Sequence, residues 1–414
     1  MLRVLRIRDF WLLWAGATIS YLGSWLLVLA VPAHIFLVTR SLAATGLTLA
    51  AEYLPLVLLG PVAGVLTDRW DRRAAMITAN FFSALAVAAM LLALTPGRYW
   101  IFYAALIAES SGTAVAIPAL RARTPAIVGT GTALTSANAL NALSSGAVRL
   151  IGGPAGGILF AALGIRALIV ADALSYLASA AAITMTTREK RQQARATGSS
   201  IRVVLRDLRA GQRLLSHQPS ARALLAVSVI FLTANASLSA VIVAFGITQL
   251  GGSRPTGFLF AALGAGFLAG APVLTITLNR ISPKHLLSLT LAATAASYAL
   301  LFHSSSVVTA LPAALAVGLF GSMSLVTTQT TIQRVIPNAA LGRISAVFLA
   351  GEAAATLAGA LASALLAQII HLAGLATAAS LTTVVAAVLS LILIPHRDPH
   401  GSRSASEAVE KPSE

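Results

Sequence analysis

The chain has 414 residues, of which 57% are hydrophobic and 10% are charged, and it contains no cysteine. Because soluble domains carry about 25% charged residues, this composition excludes a soluble enzyme, a disordered chain and a disulfide-stabilised scaffold. The formal net charge of +16 does not indicate a nucleic-acid partner, since the sequence has no aromatic-rich basic domain to bind one. The composition predicts a polytopic membrane protein.

Long apolar runs, separated by charges and by Gly/Pro clusters, follow one another along the chain. A helix needs about 20 mainly apolar residues to cross the hydrocarbon core of a bilayer, and these runs are too long for the strands of a membrane barrel. They predict an all-α polytopic membrane protein with twelve transmembrane helices. The predicted spans lie near residues 10–37, 43–67, 74–95, 99–119, 132–162, 165–186, 221–248, 256–279, 284–303, 306–331, 340–369 and 372–394.

The distribution of Lys and Arg predicts the orientation of these spans. Of the 29 basic residues, 24 lie on the side of the N-terminus, and Arg149 lies within a span. The other side has four, namely Arg40, Arg98, Arg166 and Arg254. Since loops rich in Lys and Arg stay in the cytoplasm, both termini are expected to be cytoplasmic, in a plasma membrane of the bacterial type.

The longest hydrophilic stretch between spans divides the chain into halves. We predict an N-terminal six-helix bundle (1–186), a basic cytoplasmic linker (187–220), a C-terminal six-helix bundle (221–395) and a disordered cytoplasmic tail (396–414). Within the linker, apolar residues recur at helical spacing with arginines opposite, which predicts a basic helix on the anionic face of the membrane. A regulatory docking helix is the alternative.

The two halves show a weak internal repeat. Asp68-Arg69 after span two corresponds to Asn279-Arg280 after span eight, at an offset of 211 residues. Pro125 after span four corresponds to Pro337 after span ten, at an offset of 212. Two parallel six-helix halves are a known plan of transporters, in which the substrate binds at the midplane between the halves.

The loop between spans two and three contains the most specific motif, Gly64-Val65-Leu66-Thr67-Asp68-Arg69-Trp70-Asp71-Arg72-Arg73. It resembles the cytoplasmic signature of the major facilitator superfamily, G-x-L-a-D-r-x-G-r-k, with Asp71 in place of the second glycine. The resemblance extends over nearly the whole chain to the branch of enterobactin exporters and macrolide efflux pumps. The segments that carry it are Phe10-Trp11-Leu12-Leu13-Trp14, Leu54-Pro55, Gly60-Pro61, Ala137-Asn138-Ala139-Leu140 and Leu341-Gly342-Arg343-Ile344-Ser345-Ala346.

This resemblance implies a secondary transporter that works by alternating access and uses the proton gradient, with no cofactor. It implies proton-coupled efflux of a small amphipathic compound, such as a drug, a macrolide or a siderophore, by a monomer in the lipid bilayer. The alternatives are an importer or a lysophospholipid transporter of the same fold, and a non-transporting scaffold or sensor. The sequence has no GxxxxGK[ST], HExxH or GxSxG motif, so we expect neither an enzyme nor a metal site.

The signature residues predict a conformational latch. Gly64 would allow close approach to a neighbouring helix, and the Asp68 carboxylate can bind the positive N-terminal end of a helix. The resemblance implies that this helix is span eleven. Arg69, Arg72 and Arg73 can form charge-assisted bonds across the same seam. The alternative is that these arginines only determine the orientation of the chain.

Span five contains a cluster of small residues, Gly152-Gly153-Pro154-Ala155-Gly156-Gly157. Exporters of the superfamily have G-P-x-x-G-G in this span. This chain matches the glycines at 152, 156 and 157 and displaces the proline by one residue. Such residues allow close packing and a bend, and ordinary tight packing is the alternative to an export-specific role.

Ionisable residues within spans are candidates for proton coupling or substrate binding, because each costs about 2.5–3.5 kcal/mol to insert at the bilayer centre. Glu109 and Arg149 lie near mid-depth of spans four and five, which a short loop makes neighbours. We expect them to form a pair that a proton on Glu109 would break. The alternative is a static ion pair.

Glu52, Glu352 and Asn235 are further candidates for the cavity. Glu52 precedes Tyr53 in span two, and Glu352 lies in span eleven, where Thr356 is expected to satisfy its carboxyl only in part. Asn235 lies at mid-depth of span seven. The alternative for each is hydrogen bonding between helices. Asp172 lies nearer the outer end of span six, where it is expected to contact a helix end or solvent.

Overall fold

The computed structural model describes residues 2–69, 71–129, 131–187, 201–277, 281–336 and 338–395. For some residues within helices, including residues 60–69, Arg149 and Pro154, it describes only the backbone. The described residues form helices and no strands, which confirms the predicted all-helical fold. Among them, eleven helices are long and apolar enough to cross a membrane.

The helices follow closely on one another, with short connections. In chain order they are α1 (Arg8–Thr39), α2 (Leu42–Arg69), α3 (Arg72–Ala89), α4 (Trp100–Val128), α5 (Thr132–Thr184), α6 (Ile201–Ser216), α7 (Pro219–Thr248), α8 (Ser253–Thr277), α9 (Pro283–Phe302), α10 (Val307–Val335), α11 (Asn338–Leu366) and α12 (Leu372–Leu393). Two short 3₁₀ segments, Leu2–Arg6 and Met90–Leu94, precede α1 and follow α3.

Helix α5 contains two of the predicted spans, five and six. Its 53 residues are interrupted at Gly164, which has φ 76° and ψ 172°, a conformation open to glycine but not to residues with a Cβ. Gly152 packs against Trp25, while Asp172 and Ser175 pack against Gly23. Positions before and after Gly164 therefore lie at the same level of α1, so the chain reverses there. The two arms of α5, residues 132–163 and 165–184, are two crossings, so the eleven long helices of the described residues make twelve crossings.

The crossings form two groups. The first bundle consists of α1 to α5, in which α1 lies against both arms of α5 and α4 lies against α2 and α3. The second bundle consists of α7 to α12, in which α8 packs along α10 and α7 packs against α11 and α12. The bundles meet where α5 contacts α8 and where α2 contacts α11.

Glycines lie at both contacts between the bundles. A Cβ on Gly46 of α2 would lie 2.9 Å from Ser363 Oγ of α11, and a Cβ on Gly257 of α8 would lie 3.1 Å from the carbonyl carbon of Gly157 in α5. Gly46 and Gly257 are 211 residues apart, which is the predicted repeat offset. Small residues allow helix backbones to approach closely in a membrane, so equivalent positions of the two halves carry the two contacts.

These contacts lie at one end of the molecule. We call the end at which α1 begins and α2 ends the basic end, and the end at which α1 ends and α2 begins the far end. The largest apolar cluster includes Ile35, Phe102 and Ile169 of the first bundle together with Ala244 and Ile247 of α7. The far end is therefore closed by apolar packing between the two bundles.

Helix α6 is the predicted helix of the linker. It packs against α11, α2 and α7, and its Leu215 is buried in the apolar cluster of the second bundle. Arg206, Arg209 and Arg213 are exposed. Contact with the anionic membrane surface stays a prediction. Residues 188–200 of the linker, the repeat positions Asn279, Arg280 and Pro337, and the tail 396–414 lie outside the described residues.

Helices α8 and α10 approach so closely that a methyl group would not fit between them. A Cβ on Gly266 would overlap the carbonyl oxygen of Leu315, and a Cβ on Gly318 would overlap that of Leu263. We expect Gly266→Ala or Gly318→Ala to lower the midpoint of thermal unfolding in detergent, because overpacking costs about 1–3 kcal/mol.

Gly321→Ala is the matched control, since Gly321 lies on α10 with no atom within 4 Å of its Cβ position. This change is expected to leave the unfolding midpoint unchanged or to raise it, because Ala favours a helix over Gly by about 1 kcal/mol. Equal midpoints for all three variants would contradict the close approach of α8 and α10.

Candidate functional site

A chain of hydrogen bonds joins Glu109 of α4 to α5 and α1. The Glu109 side chain is only 9% exposed, and Tyr176 Oη of α5 donates to its Oε1 at 2.7 Å. Tyr176 Oη lies 2.9 Å from Ser24 Oγ of α1, and Ser24 Oγ also lies 3.2 Å from the carbonyl oxygen of Ser20. Glu109 is thus connected to two neighbouring helices by side-chain hydroxyls.

Glu109 and Glu52 line one cavity between α1, α2 and α4. The cavity has a volume of about 30 Å³ and an otherwise mainly apolar wall, in which Ser24 and Thr48 are the other polar residues. This is room for about two water molecules, since one needs at least about 10–15 Å³. In this state the cavity can hold water or an ion, but it is too small for an organic substrate.

Glu52 lies on α2, directly beside α4. Its side chain is partly exposed, and its backbone carbonyl accepts a hydrogen bond from Ser110 Oγ of α4. Tyr103 Oη of α4 donates to the Ala44 carbonyl of α2 at 2.9 Å. Hydroxyl groups of α4 therefore hold the two acid-bearing helices together along their length.

Among the described side chains of the first bundle, Asp172 is the most deeply buried acid. Its side chain has no exposed surface, and Ser175 Oγ donates to its Oδ1 at 3.1 Å. Its Oδ2 has no hydrogen-bond partner among the described residues. The expectation that Asp172 contacts solvent is wrong, because the carboxyl packs against Gly23 of α1 and the helix pair excludes water there.

Tyr176 and Ser24 are not among the site residues predicted from the sequence. A signal for Tyr176 was present, because Asp172, Ser175, Tyr176 and Ser179 have the 3-4-7 spacing of one helix face. All four are buried. This polar face lies against the small residues Gly16 and Gly23 of α1, so it points into the bundle instead of into lipid.

The predicted Glu109–Arg149 pair and part of the predicted latch concern side chains outside the described part. The backbones of Gly64, Asp68 and Arg69 belong to the last turns of α2, and Arg149 belongs to the first arm of α5. The structure therefore does not place the Arg149 guanidinium or the Asp68 carboxylate. Both interactions stay predictions.

Arg72 and Arg73 make contacts within the first bundle. Arg72 Nη1 donates to the Ala122 carbonyl of α4 at 3.3 Å, and Arg73 donates from Nε to Ile183 O at 3.2 Å and from Nη2 to Thr184 O. Arg73 thereby adds hydrogen bonds to carbonyl groups in the last turn of α5, where a helix leaves acceptors outside its own bonding pattern. In this state the two arginines hold the basic ends of α3, α4 and α5 together.

Asp71, the residue that departs from the superfamily signature, caps α3. Its Oδ1 accepts from Arg73 N at 2.8 Å and from Ala74 N at 3.1 Å. An N-terminal Asp satisfies free N–H groups of the first helical turn. The substitution of glycine by Asp71 therefore has a local structural role at the start of α3.

The glycines of the span-five cluster pack the first arm of α5 against its neighbours. Gly152 lies against Trp25 and Gly156 against Leu26 of α1, and Gly157 contacts Leu29 and Gly257. Gly153 has no neighbour within 4 Å of its Cβ position, and the Pro154 side chain is not described. Close packing accounts for Gly152, Gly156 and Gly157.

Arg123 is a fully buried charge at the basic end. Its Nη2 donates to Thr186 Oγ1 at 2.8 Å and to Thr187 O at 2.9 Å, and Asp9 accepts a bond from Thr187 N at 3.0 Å. Arg123, Thr187 and Asp9 line a second cavity, of about 280 Å³. The bonds hold the beginning of α1 and the end of α4 to the end of α5.

In the second bundle, hydroxyl groups join α7 to α11. Thr233 Oγ1 lies 3.3 Å from the Ala355 carbonyl, and Ser237 Oγ donates to the Gly359 carbonyl at 3.0 Å. Glu352 of α11 is half-buried. Thr356 Oγ1 donates to the backbone carbonyl of Glu352 at 2.9 Å, so the expected partial satisfaction of the Glu352 carboxyl by Thr356 is not what the structure shows.

Asn235 has a defined partner. Tyr298 Oη of α9 donates to Asn235 Oδ1 at 2.7 Å, and Tyr298 is 1% exposed. Asn235 itself is exposed. Asn235 therefore joins α7 to α9, the role that sequence analysis gave as the alternative to substrate contact.

The chain is similar to known membrane transporters over most of its length. A family model described as transmembrane secretion effector, of the MFS type, matches residues 2–413. An uncharacterized MFS-type transporter of Bacillus subtilis, YfiS, is 26% identical over 264 residues, which cover 63% of this chain and 62% of the relative. Macrolide efflux protein A of Streptococcus pyogenes is 33% identical over 125 residues, 29% of this chain and 30% of the relative.

Each of these two matches spans less than two thirds of the relative's length. Among solved structures, the crystal structure of the nucleoside transporter NupG superposes with a TM-score of 0.74 and covers 94% of this chain and 100% of that chain. The sequence identity to NupG is 9%, so this likeness concerns the fold alone.

We expect Asn235→Leu to lower the stability of the second bundle, because the Tyr298 hydroxyl would stay buried without an acceptor. Such a group costs about 1–3 kcal/mol, and thermal unfolding in detergent measures the loss. Adding Tyr298→Phe removes the unpaired hydroxyl and should restore most of the stability. Unchanged stability of Asn235→Leu with lost transport would contradict a packing role for Asn235.

Proposed function

Because the chain belongs to the transmembrane secretion effector family of MFS-type transporters, we propose that it is a secondary active transporter that exports a small amphipathic compound. Export is coupled to the proton gradient and proceeds by alternating access between the two bundles. The protein acts as a monomer in a bacterial plasma membrane, with both termini in the cytoplasm.

The closed far end is the observation that carries the proposal of alternating access. Gly46 and Gly257, at equivalent positions of the repeat, bring α2 to α11 and α8 to α5. With the basic end on the cytoplasmic side, this state is closed toward the outside. Parting of these contacts would open the far end toward the outside, and the predicted latch of Asp68 with α11 would then hold the basic end closed.

Acids at mid-depth support coupling to protons. Glu52 and Glu109 face one small cavity, and Glu352 is half-buried in α11. An ionisable group in the bilayer is costly and is expected to have a function. Together with Arg149, these residues remain our candidates for proton coupling and substrate contact.

The similarity to macrolide efflux protein A supports outward transport. It covers 125 residues of this chain, and that protein is named for the efflux of macrolides. We therefore propose a drug or a macrolide as the substrate class.

Everted membrane vesicles with an imposed pH gradient test this function. Radiolabelled erythromycin, a macrolide, and the cationic dye ethidium serve as probes. Vesicles containing the wild type are expected to accumulate a probe when their lumen is acidic and to stop when a protonophore collapses the gradient. Glu109→Gln and Glu352→Gln test the two acids.

The results of the vesicle assay distinguish proton-coupled export from the other kinds of transport. Accumulation that ignores the gradient would contradict proton coupling, and uptake only into right-side-out vesicles would indicate an importer. Movement of a labelled lysophospholipid in place of both probes would indicate a lipid transporter.

A disulfide across the far end is expected to abolish transport. The chain has no cysteine, so Gly46→Cys with Ser363→Cys introduces the only two thiols. The Cβ position of Gly46 lies 2.9 Å from Ser363 Oγ, which is close enough for a disulfide after small shifts. Oxidation should stop probe transport, and a reductant should restore it.

Gly16→Cys with Ala182→Cys is the matched control. The Cβ position of Gly16 lies 3.2 Å from Ala182 Cβ, and both residues belong to the first bundle. A disulfide within one bundle should leave transport unchanged after oxidation. Transport by the oxidised far-end pair would contradict alternating access.

A further inference from the structure

A cavity of about 280 Å³ lies at the basic end, where three helix ends of the first bundle meet. Residues at the start of α1, at the end of α4 and directly after α5 line it. One water molecule needs at least about 10–15 Å³, so this cavity has room for a group much larger than a few waters. It shares no lining residue with the smaller cavity of Glu52 and Glu109.

The described lining of this cavity carries more positive than negative charge. Its basic residues are Arg8 and Arg123, and its acid is Asp9. Asp9 Oδ2 accepts hydrogen bonds from Thr187 N at 3.0 Å and from Thr187 Oγ1, so this carboxylate is engaged with the end of the second arm of α5. A cleft in which one sign of charge prevails attracts ions of the opposite sign.

Arg123 holds its charge at a fixed place in the wall. Its side chain is 1% exposed, and its Nη2 donates to Thr186 Oγ1 at 2.8 Å and to Thr187 O at 2.9 Å. Both acceptors are neutral, so these two bonds position the guanidinium without neutralising it. A charge acts more strongly in a buried environment than in water, and Arg123 therefore makes the potential in the cavity more positive.

The start of α1 favours a ligand of the same sign. Ile7 precedes this helix and also lines the cavity, and its side chain provides no hydrogen-bonding cap. The first N–H groups of a helix have no partner within the helix, and this end carries a partial positive charge. The helix end, the two arginines and the cavity coincide, and all three favour a bound anion.

The rest of the wall and its level in the membrane narrow the class of anion. Ile7, Ala126 and Ile127 form an apolar side of the cavity. Trp11, in the first turn of α1, is 48% exposed, and exposed tryptophans are typical of the boundary between membrane and water. A cationic side and an apolar side at this level fit the phosphate group and the glycerol of a phospholipid.

We infer that this cavity is a binding site for a phosphate group, supplied by an anionic phospholipid of the cytoplasmic leaflet. Arg8 is exposed and can close on the phosphate with two parallel N–H···O bonds, a geometry typical of arginine and phosphate. The bound phosphate joins the start of α1 to the end of α4. Free phosphate has the same chemistry and is the other source. The site does not depend on the direction or the substrate of transport.

Native mass spectrometry of the full chain in detergent, with phosphatidylglycerol as the probe, measures binding at this site. Arg8→Gln is expected to weaken the binding of one phosphatidylglycerol about tenfold, because it removes a charge-assisted contact. Arg6→Gln is the matched control. Arg6 is also exposed and does not line the cavity, so this variant loses the same charge and should bind the lipid as the wild type does.

Ala126→Phe tests the space in the cavity without a change of charge. Ala126 is exposed and lines the cavity, so a larger side chain is expected to occupy the space of the ligand and to weaken phosphatidylglycerol binding. Thermal unfolding of each variant without added lipid verifies that the protein is folded.

Inorganic phosphate distinguishes the two sources of the phosphate group. A lipid complex that persists in millimolar phosphate assigns the site to the phospholipid. Displacement of the lipid, with a rise of the unfolding midpoint on adding phosphate that Arg8→Gln abolishes, assigns it to free phosphate. Equal weakening in Arg6→Gln and Arg8→Gln, undiminished binding in Ala126→Phe, or no binding of either probe would overturn the inference.

Discussion

The packing of α1 between the two arms of α5 is the contact on which the first bundle depends. Lipid chains are as apolar as helix surfaces, so helices in a membrane associate through close packing and hydrogen bonds. Here glycines provide the close packing: Gly23 of α1 admits Asp172 and Ser175 of the second arm, and Gly152 of the first arm admits Trp25 of α1. The reversal at Gly164 makes this arrangement possible, because it returns the chain along the same face of α1.

The same close packing brings the polar groups of the first bundle together. Ser24 can reach Tyr176 only because α1 and the second arm of α5 are in direct contact, and Tyr176 then reaches Glu109 of α4. A buried polar group without a partner is costly, so the hydroxyls stabilise the acid as well as the helix contacts. The inter-bundle contacts at the far end combine glycines with apolar packing, which suits contacts that are proposed to part.

Much of the fold could be predicted from local patterns. The length of the apolar runs predicted the crossings, including the boundary at Gly164, because the need to satisfy backbone hydrogen bonds within lipid leaves few alternatives to a helix. The helical spacing in the linker predicted α6. The sequence did not predict the burial of Asp172 or the bond from Thr356 to the backbone carbonyl of Glu352. Burial and hydrogen bonding depend on which neighbouring helix a given face contacts.

The sequence by itself determined that this chain is a set of apolar helices long enough to cross a membrane, and it predicted a repeat of two halves, basic residues mainly on one side and acids within the spans. Hydropathy, charge and the repeat offset follow from the order of residues along the chain, so they need no knowledge of how the helices pack. Only the tertiary structure decided that Glu109 bonds to Tyr176, that Asp172 lies against Gly23, and that Arg73 binds the end of α5. Such pairs depend on the rotation and tilt of each helix, which packing against all of its neighbours determines at once.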